Sequence, residues 1–135
     1  MYDIVDLTNE QQDEIDSMLE EYDKRYIKYK LNGKVSVGIF HDGRLIAGAN
    51  GSITAFKIFY VSTVFVDEKY RSKGIGRQLM NALELKALSF GANMIRLDTF
   101  DWQGVGFYKK LGYEQVGSYR NEIDGFSEHF FIKQL

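Results

Sequence analysis

A chain of 135 residues with 44% hydrophobic and 15% aromatic content is long enough for one domain with a real core and too short for two. The formal net charge of -2 argues against a nucleic-acid-binding protein, because such proteins usually carry a strong basic excess. The absence of cysteine excludes disulfides, thiolate metal sites and a cysteine nucleophile. We therefore expect a single domain over residues 1–135, with neither nucleic acid nor a metal ion as a partner.

The N-terminal segment, residues 1–14, is acidic and lacks an apolar core of signal-peptide length. No run in the chain approaches the ~20 apolar residues that a membrane span needs. Residues 24–30 mix bases with aromatics, which on this acidic background predicts a solvated helix end with its tyrosines packed inward, and not a nucleic-acid patch. The sequence thus predicts a cytoplasmic protein that does not enter a membrane.

Apolar periodicity predicts four strands and one helix in the first half of the chain. In order they are a strand at 2–7, a helix capped by Thr8 and running to about Tyr26, and strands at 34–40, 44–56 and 56–66. Residues 41–43, with the sequence HDG, join two of these strands and are typical of a hairpin turn. The strand at 56–66 has few polar residues and is therefore expected to be central in its sheet.

The second half of the chain alternates helices with strands. Its predicted elements are a helix at 74–90 ended by Gly91, a strand at 94–100, a short helix at 103–111 ending near Gly112, and strands at 113–120 and 126–135. The full order is β-α-β-β-β-α-β-α-β-β, which predicts an α/β protein with a mixed α+β sheet and helices on its faces. The helix at 74–90 crosses over to a parallel strand, and ligands gather at the carboxyl ends of such strands.

The turn that enters this long helix lies at such a strand end. Gly74 and Gly76 let an anion approach the backbone, where the first N–H groups of the helix have no intrahelical acceptor. Arg71, Lys73 and Arg77 add positive charge nearby. The pattern predicts a diphosphate cradle. The alternative is an ordinary turn softened by glycine, because the sequence is neither a Walker loop nor a dinucleotide fingerprint.

Two stretches of the sequence resemble motifs of a known family. Residues 66–79, VDEKYRSKGIGRQL, are similar to the acyl-CoA motif of the GNAT superfamily of acyl-CoA-dependent N-acyltransferases, and residues 107–113, FYKKLGY, are similar to its late motif. The stretches follow the order of that family, and the predicted elements agree with its fold over nearly the whole chain. Two positions depart from the pattern: Glu68 stands in place of the usual proline, and Asp101 in place of the asparagine of many members.

The resemblance implies acetyl-CoA as co-substrate, bound where the strand at 60–66 splays from the strand at 94–100. Pantetheine amides would pair with the backbone of Val64 and Val66, and a backbone N–H near Val64 would stabilise the oxyanion. The diphosphate would rest on the helix N-terminus near Gly74. The cofactor-binding residues implied in this way are Val64, Phe65, Val66, Arg71, Ser72, Lys73, Gly74, Ile75, Gly76, Arg77 and Asp101.

The implied reaction is direct attack of a primary amine on the thioester through a tetrahedral intermediate. Because a free alkylamine has a pKa of ~10.4, a base must take its proton. The carboxylates that could act through water are Asp98, Asp101 and Glu128, and the weaker candidates are His41 and His129. Tyr108 matches the proton donor of the family and is the implied general acid for the departing thiolate. The alternative for Tyr108 is a core tyrosine.

Two classes of function stay open on the sequence. The first is an N-acetyltransferase acting on the amine of a small molecule or a peptide, and the second is a non-catalytic acyl-CoA sensor that regulates a partner. Tyr108 in the donor position favours the enzyme. The segment 129–135 carries three consecutive large apolar residues, so one face is expected in the core and the other in a homodimer contact. Trp102 is expected either to pack against pantetheine or the acceptor, or to cover the sheet edge.

Overall fold

The structure is a computed structural model that describes residues 1–28 and 30–135. The described part holds three α-helices and six strands, which follow one another as α1 (Asn9–Asp23), β1 (Lys34–His41), β2 (Arg44–Ala55), β3 (Ile58–Val66), α2 (Ile75–Ser89), β4 (Met94–Phe100), α3 (Val105–Lys110), β5 (Glu114–Asn121) and β6 (Phe126–Gln134). From β1 onward this is the predicted order. The chain divides into two compact units, residues 1–30 and 31–135, and a single domain stays a prediction.

The first unit contains α1. The helix begins at a capping box, in which the side-chain oxygens of Thr8 and Gln11 each accept a hydrogen bond from the backbone N–H of the other residue. The predicted strand at 2–7 is wrong, since these residues form no strand and Tyr2 and Ile4 are almost fully exposed. Alternation predicts a strand only where a neighbouring strand completes the hydrogen bonds, and the described residues of this unit offer none.

The helix α1 ends at Asp23, a few residues earlier than predicted. Tyr26 is 64% exposed, so the expectation that this tyrosine packs inward is wrong. Tyr29 lies outside the described residues. Nowhere in the described chain is a helix both long enough and apolar enough to cross a membrane.

The second unit is built on a six-stranded sheet with the order β1-β2-β3-β4-β6-β5. β3 and β4 are parallel and the other neighbours are antiparallel, which makes β3 a central strand as predicted. The turn between β1 and β2 is the predicted hairpin turn, with φ angles of 51° at Asp42 and 75° at Gly43. Because β6 lies between β4 and β5, the final hairpin joins the sheet through its second strand.

The apolar core lies between the sheet and the helices α2 and α3. α2 presents four buried residues at helical spacing, which are Leu79, Met80, Leu83 and Ala87. The sheet supplies alternate residues of its strands, among them Phe59 of β3, which is fully buried. The intervening positions form the second face of the sheet, which we define by the residues Tyr60, Asp98, Phe100, Glu128 and Phe130.

β3 and β4 pair over only three residues and then separate. Pairing joins residues 58–60 to residues 94–96, although β3 continues to Val66 and β4 to Phe100. Ser62 has no partner in the ladder with β2, so β3 carries a bulge where the two parallel strands part. This confirms the splay that the family resemblance implies, and it leaves backbone groups of both strands facing a gap.

Candidate active site

A cavity of about 1030 Å³ occupies the gap between the separated ends of β3 and β4. The start of α2 and the segment leading into α3 complete its walls. Of the predicted site residues, the lining includes Val64, Phe65, Val66, Arg71, Ser72, Gly74, Ile75, Gly76, Arg77 and Tyr108. Lys73 and Asp101 are not part of the lining. The glycine turn and the late motif, which are distant in the sequence, therefore meet at one cavity.

The N-terminus of α2 opens into this cavity without a side-chain cap. Its cap residue, Gly74, has a φ of 79°, a left-handed conformation that favours glycine, and a Cβ there would meet no atom within 4 Å. The backbone N–H groups of Ile75, Gly76 and Arg77 have no acceptor within the helix. These donors and the helix dipole together favour an anion at this position.

The segment between β3 and α2 is ordered without the proline that the family uses. Asp67 accepts a hydrogen bond of 3.0 Å from the backbone N–H of Lys69 and one of 2.9 Å from Nη2 of Arg44. The first bond caps a short 3₁₀ helix, Glu68–Tyr70. The carboxylate of Asp67 thus caps this short helix and links it to β2 through Arg44.

The backbone of β3 turns particular groups toward the gap. The N–H of Asp67 donates to the carbonyl oxygen of Ile46 on β2 at 2.8 Å. Because successive strand residues point their backbone groups in opposite directions, Val66 and Val64 turn theirs away from β2. The carbonyl oxygen of Val66 accepts a hydrogen bond of 2.8 Å from Nε of Arg71, which agrees with that direction. The N–H of Val66 and both backbone groups of Val64 therefore face the gap.

Positive side chains line the cavity on the side of α2 and α3. They are Arg71, Arg77 and Lys110. Lys110 was not singled out in the sequence, although it belongs to the late motif. Lys73 lies outside the lining, with its Nζ 5.7 Å from the centroid of the Tyr70 ring. This wall of the cavity therefore combines backbone donors with three cationic side chains.

Tyr108 is the buried phenol of the cavity. Its side chain is 8% exposed and packs against the rings of Phe107, Tyr113 and Phe131. Gly104 permits this packing, because a Cβ at that position would lie 2.9 Å from the Tyr108 ring. Among the described residues the Tyr108 hydroxyl has no hydrogen-bond partner, and its oxygen is not sealed from solvent. The hydroxyl is thus available to a molecule in the cavity.

Of the candidate bases, only Asp98 belongs to the cavity lining that the described residues form. Its Oδ2 accepts a hydrogen bond of 2.9 Å from the hydroxyl of Tyr60. Burial, followed by the charge of Asp98, raises the pKa of Tyr108 to about 12, so this phenol stays protonated at neutral pH. Burial, followed by the hydrogen bond to Asp98, also raises the pKa of Tyr60. A carboxylate and a protonated phenol therefore share one cavity.

Both carboxylate oxygens of Asp101 are hydrogen-bonded to residues of β6. Its Oδ2 accepts a hydrogen bond of 2.6 Å from the backbone N–H of Ser127, and its Oδ1 lies 2.7 Å from Nε2 of His129. The amide nitrogen of Gln115 lies 3.0 Å from the other ring nitrogen of His129, so it donates there and Nε2 donates to Asp101. The hydrogen bond from His129, and then that from Ser127, lowers the pKa of Asp101. This arrangement favours a structural role for both Asp101 and His129.

The remaining candidate bases also lie outside the cavity lining. Glu128 is on the second face, where its Oε1 accepts a hydrogen bond of 2.6 Å from the hydroxyl of Tyr119. His41 is exposed, and its Nδ1 lies 3.1 Å from the hydroxyl of Tyr70. Neither side chain is placed to reach the gap directly, so Asp98 is the best-placed base.

An aromatic cluster borders the cavity on the second face. Trp102 stacks on Phe100 with ring centroids 5.0 Å apart and 8° between their planes, and Phe126 meets Phe100 edge-on at 5.5 Å. The side chain of Gln103 holds the loop by accepting a hydrogen bond of 2.8 Å from the backbone N–H of Phe100. The sequence marks Trp102 as notable but gives no sign of this stacking, because Phe126 reaches the cluster only through the strand order.

The chain matches the family model described as the Acetyltransferase (GNAT) family over residues 1–113. It is 30% identical over 94 residues to a blasticidin-S acetyltransferase from Streptomyces morookaense, a match that covers 69% of this chain and 68% of that protein. It is 28% identical over 109 residues to an L-ornithine N5-acetyltransferase from Arabidopsis thaliana, covering 78% of this chain. The match covers 46% of that longer relative, so the chain spans about half its length.

Solved structures share the fold. An acetyltransferase from Bacillus cereus ATCC 14579 has a TM-score of 0.90 and 29% identity, covering 99% of this chain and 98% of that one. A GNAT family acetyltransferase from Elizabethkingia anophelis, solved with acetyl-CoA bound, has a TM-score of 0.66 and 16% identity. That match covers 86% of this chain and 83% of that one, and at this identity it shows the fold alone.

Proposed function

The chain belongs to the GNAT acetyltransferase family, and we propose that it moves the acetyl group of acetyl-CoA to a primary amine of a small molecule or a peptide. The observation that carries the proposal is the composition of the cavity. Cationic side chains and an open helix N-terminus line one side, while Asp98 and the unpartnered hydroxyl of Tyr108 line the same space. The first set suits a diphosphate, and the second suits an amine and a leaving thiolate.

The residues present fit acetyl-CoA, which supplies a thioester. The N–H groups after Gly74, with Arg71, Ser72 and Arg77 nearby, would hold the diphosphate. The carbonyl oxygen of Val64 and the N–H of Val66, which face the gap, would pair with pantetheine amides in the manner of an added strand. The N–H of Val64 would also stabilise negative charge on the thioester oxygen, a contribution typically worth about 100- to 1000-fold in rate. Lys73 would contribute only long-range charge, and Asp101 would make no contact.

The acceptor amine attacks the carbonyl carbon of the thioester, forming a C–N bond, and the C–S bond then breaks. The proton that the amine loses passes through a water molecule to the carboxylate of Asp98 and from there to solvent. The thiolate that leaves takes the proton of the Tyr108 hydroxyl, which solvent later replaces. Each group thus ends the cycle in its starting state.

The raised pKa of Tyr108 agrees with this role. A phenol with a pKa of about 12 remains a proton donor throughout the physiological range. A coenzyme A thiol, with a pKa close to the ~8.5 of cysteine, would by itself be a weak competitor for that proton. Burial of the thiolate in the same cavity would raise the pKa of the thiol as well, which would narrow the difference between the two groups.

Thermal unfolding tests the binding half of the proposal. Acetyl-CoA should raise the Tm by mass action, and Gly74→Val should abolish that shift by placing a side chain in front of the helix N-terminus. Gly43→Val is the matched control, since Gly43 has a φ of 75°, also has no atom within 4 Å of a Cβ, and lies outside the cavity. The control should lose similar stability and keep the shift.

An unchanged affinity for acetyl-CoA in folded Gly74→Val would remove the cradle from the proposal. If backbone strain prevents Gly74→Val from folding, Arg77→Gln offers a second test, because its side chain is exposed and its loss should weaken binding without unfolding the protein. Release of coenzyme A thiol across a panel of amines then tests the catalytic half. Tight acetyl-CoA binding without thiol release for any amine would indicate an acyl-CoA sensor instead.

We also propose that the protein acts in the cytoplasm and forms a homodimer. Support for the dimer comes from β6, where Phe131 is buried in the core while Ile132 on the second face is only partly buried. Sedimentation that detects only a species of 15.6 kDa at micromolar concentration, with and without acetyl-CoA, would contradict the dimer.

A further inference from the structure

Glu128 lies among aromatic side chains on the second face of the sheet. The residue directly opposite it on β4 is Phe100, and the residue directly opposite it on β5 is Tyr119. Phe126 and Phe130 lie two positions away on its own strand and therefore project to the same face. The hydroxyl of Tyr119 donates to Oε1 of Glu128 at 2.6 Å, which orients the carboxylate.

This carboxylate has no cationic partner among the described residues. Nearby cations are engaged elsewhere: the guanidinium of Arg96 lies 4.3 Å from the ring centroid of Tyr60, and Nε of Arg120 lies 3.6 Å from Oε2 of Glu122. A half-buried negative charge with aromatic neighbours is stabilised by a cation that meets both the carboxylate and the ring faces. Alkylammonium groups have this chemistry.

Asp98 is the second carboxylate on this face. It lies opposite Phe130 on β6 and is therefore a diagonal neighbour of Glu128. The Cα atoms of such neighbours are typically roughly 7–8 Å apart. The electrostatic effects agree with this proximity. Burial, then the hydrogen bond to Asp98 and, least, the charge of Glu128 raise the pKa of Tyr60. The hydrogen bond to Glu128 and, least, the charge of Asp98 raise the pKa of Tyr119. The two acids form one pair, with Asp98 at the cavity and Glu128 beyond it.

The cavity indicates that a ligand can reach Asp98, the nearer member of the pair. Tyr108 is more than nine-tenths buried, and its hydroxyl has no hydrogen-bond partner among the described residues. It lines the same cavity as Asp98. The hydroxyl opens to the cavity beside this carboxylate, so both groups are available to molecules that bind there.

We propose that the acceptor is a small amine with two cationic groups, such as an alkane diamine. One nitrogen lies beside Asp98 and is acetylated, while the other remains an ammonium ion bound to Glu128 within the aromatic ring of Phe100, Tyr119, Phe126 and Phe130. The spacing of the two carboxylates selects the length of the chain between the nitrogens. This inference rests on the proposed acetyl transfer and names the class of acceptor for it.

Thiol release with alkane diamines from propane to hexane, each compared with the monoamine of equal length, tests the inference. The best diamine should exceed its monoamine in kcat/KM by about tenfold or more, since one charge-assisted contact distinguishes the two. Glu128→Gln keeps the shape and an acceptor for Tyr119, and should bring that ratio close to one. Glu122→Gln, at an exposed position of the final hairpin, should leave the ratio unchanged. Asp98→Asn should lower turnover with every amine.

Calorimetry of the best diamine binding to the parent protein and to Glu128→Gln provides a second readout that does not need acetyl transfer. Binding should weaken about tenfold in the variant and stay unchanged in Glu122→Gln. Equal kcat/KM for diamines and monoamines, or a ratio that Glu128→Gln leaves unchanged, would overturn the inference while acetylation stands. If no amine supports thiol release, the proposed function fails, and equal diamine affinity in parent and variant would then overturn the inference on its own.

Discussion

The two halves of β3 have similar apolar sequences but different strand partners. In residues 58–60 the strand pairs with β2 on one edge and with β4 on the other, and Phe59 is fully buried. After the bulge at Ser62 the strand keeps β2 and loses β4, and Phe65 is 51% exposed. The candidate site begins where the second partner is lost.

The comparison shows how a sheet can supply both stability and a binding edge from one strand. The paired half has strand partners on both edges and buries Phe59 in the core, so its contribution is to stability. The separated half keeps backbone groups of Val64 and Val66 facing a gap, which are groups that a ligand with amides can satisfy. Mutations in the paired half should therefore lower stability, and mutations in the separated half should weaken ligand binding.

The largest effect is expected for Phe59→Ala, in the paired half. Removing a fully buried phenylalanine should lower the free energy of unfolding by about 3–5 kcal/mol. Phe65→Ala is the matched change in the separated half, and it should cost less than about 1 kcal/mol because the ring is half exposed. Urea denaturation measures both. Since Phe65 lines the cavity, its loss should instead weaken acetyl-CoA binding. Similar stability losses in the two variants would remove the distinction between the halves.

The next largest effect is expected for Tyr108→Phe, which keeps the ring and deletes the hydroxyl that opens to the gap. Turnover with the best amine should fall about 100-fold, the low end for a general acid, because a thiolate leaves tolerably well unaided. Affinity for acetyl-CoA should be unchanged, since the hydroxyl matters most as charge develops on sulfur. With a pKa of about 12, Tyr108 should cause no loss of turnover up to about pH 10.

Tyr113→Phe is the control for this change. Tyr113 is equally buried and packs on Tyr108, but its hydroxyl donates to Glu84 at 3.0 Å and lies outside the cavity lining. Its loss should cost about 1 kcal/mol of stability, because Lys133 still donates to Glu84. Turnover should stay near that of the parent. If Tyr108→Phe retains turnover within about twofold, Tyr108 is a packing residue.

Local signals in the sequence are sufficient to predict most of the second unit. The turn at residues 41–43, the apolar period of α2 and the strand runs each depend on neighbouring residues, and the structure has them where they were predicted. The glycine turn could also be recognised, because its two glycines and the basic residues beside them are adjacent in the sequence. Gly74 indeed adopts the left-handed conformation that favours glycine. The splay came only from the family resemblance, since nothing in residues 61–66 indicates that a partner strand is missing.

Contacts set by strand order could not be predicted. β6 lies between β4 and β5, so Glu128 meets Phe100 and Tyr119 from strands on either side, and no local pattern signals either contact. The same order ties Asp101 to β6, although the resemblance assigned it to the cofactor. The predicted first strand at 2–7 failed for the related reason that alternation does not reveal whether a pairing partner exists.

The smallest predicted effect concerns Asp101, which follows β4 directly and yet belongs to the paired, structural side of the comparison. Its pKa is lowered, first by the hydrogen bond from His129 and then by that from Ser127. Because the folded pKa lies below the unfolded value near 3.8, the carboxylate contributes stability above about pH 4, and that contribution is lost as the pH falls through the folded pKa. Asp101→Asn should therefore lower the Tm slightly at neutral pH and converge with the parent in acid.

Thermal unfolding between pH 2 and 7 measures this convergence, with Asp124→Asn in the exposed final turn as a control that should follow the parent at every pH. Turnover and acetyl-CoA affinity should change little in Asp101→Asn, because both carboxylate oxygens are engaged by β6 and the side chain is not in the cavity lining. A marked loss of acetyl-CoA affinity in this variant, with its fold intact, would restore the cofactor contact that the family pattern implies. It would also move the boundary between the structural and functional regions one residue beyond Phe100.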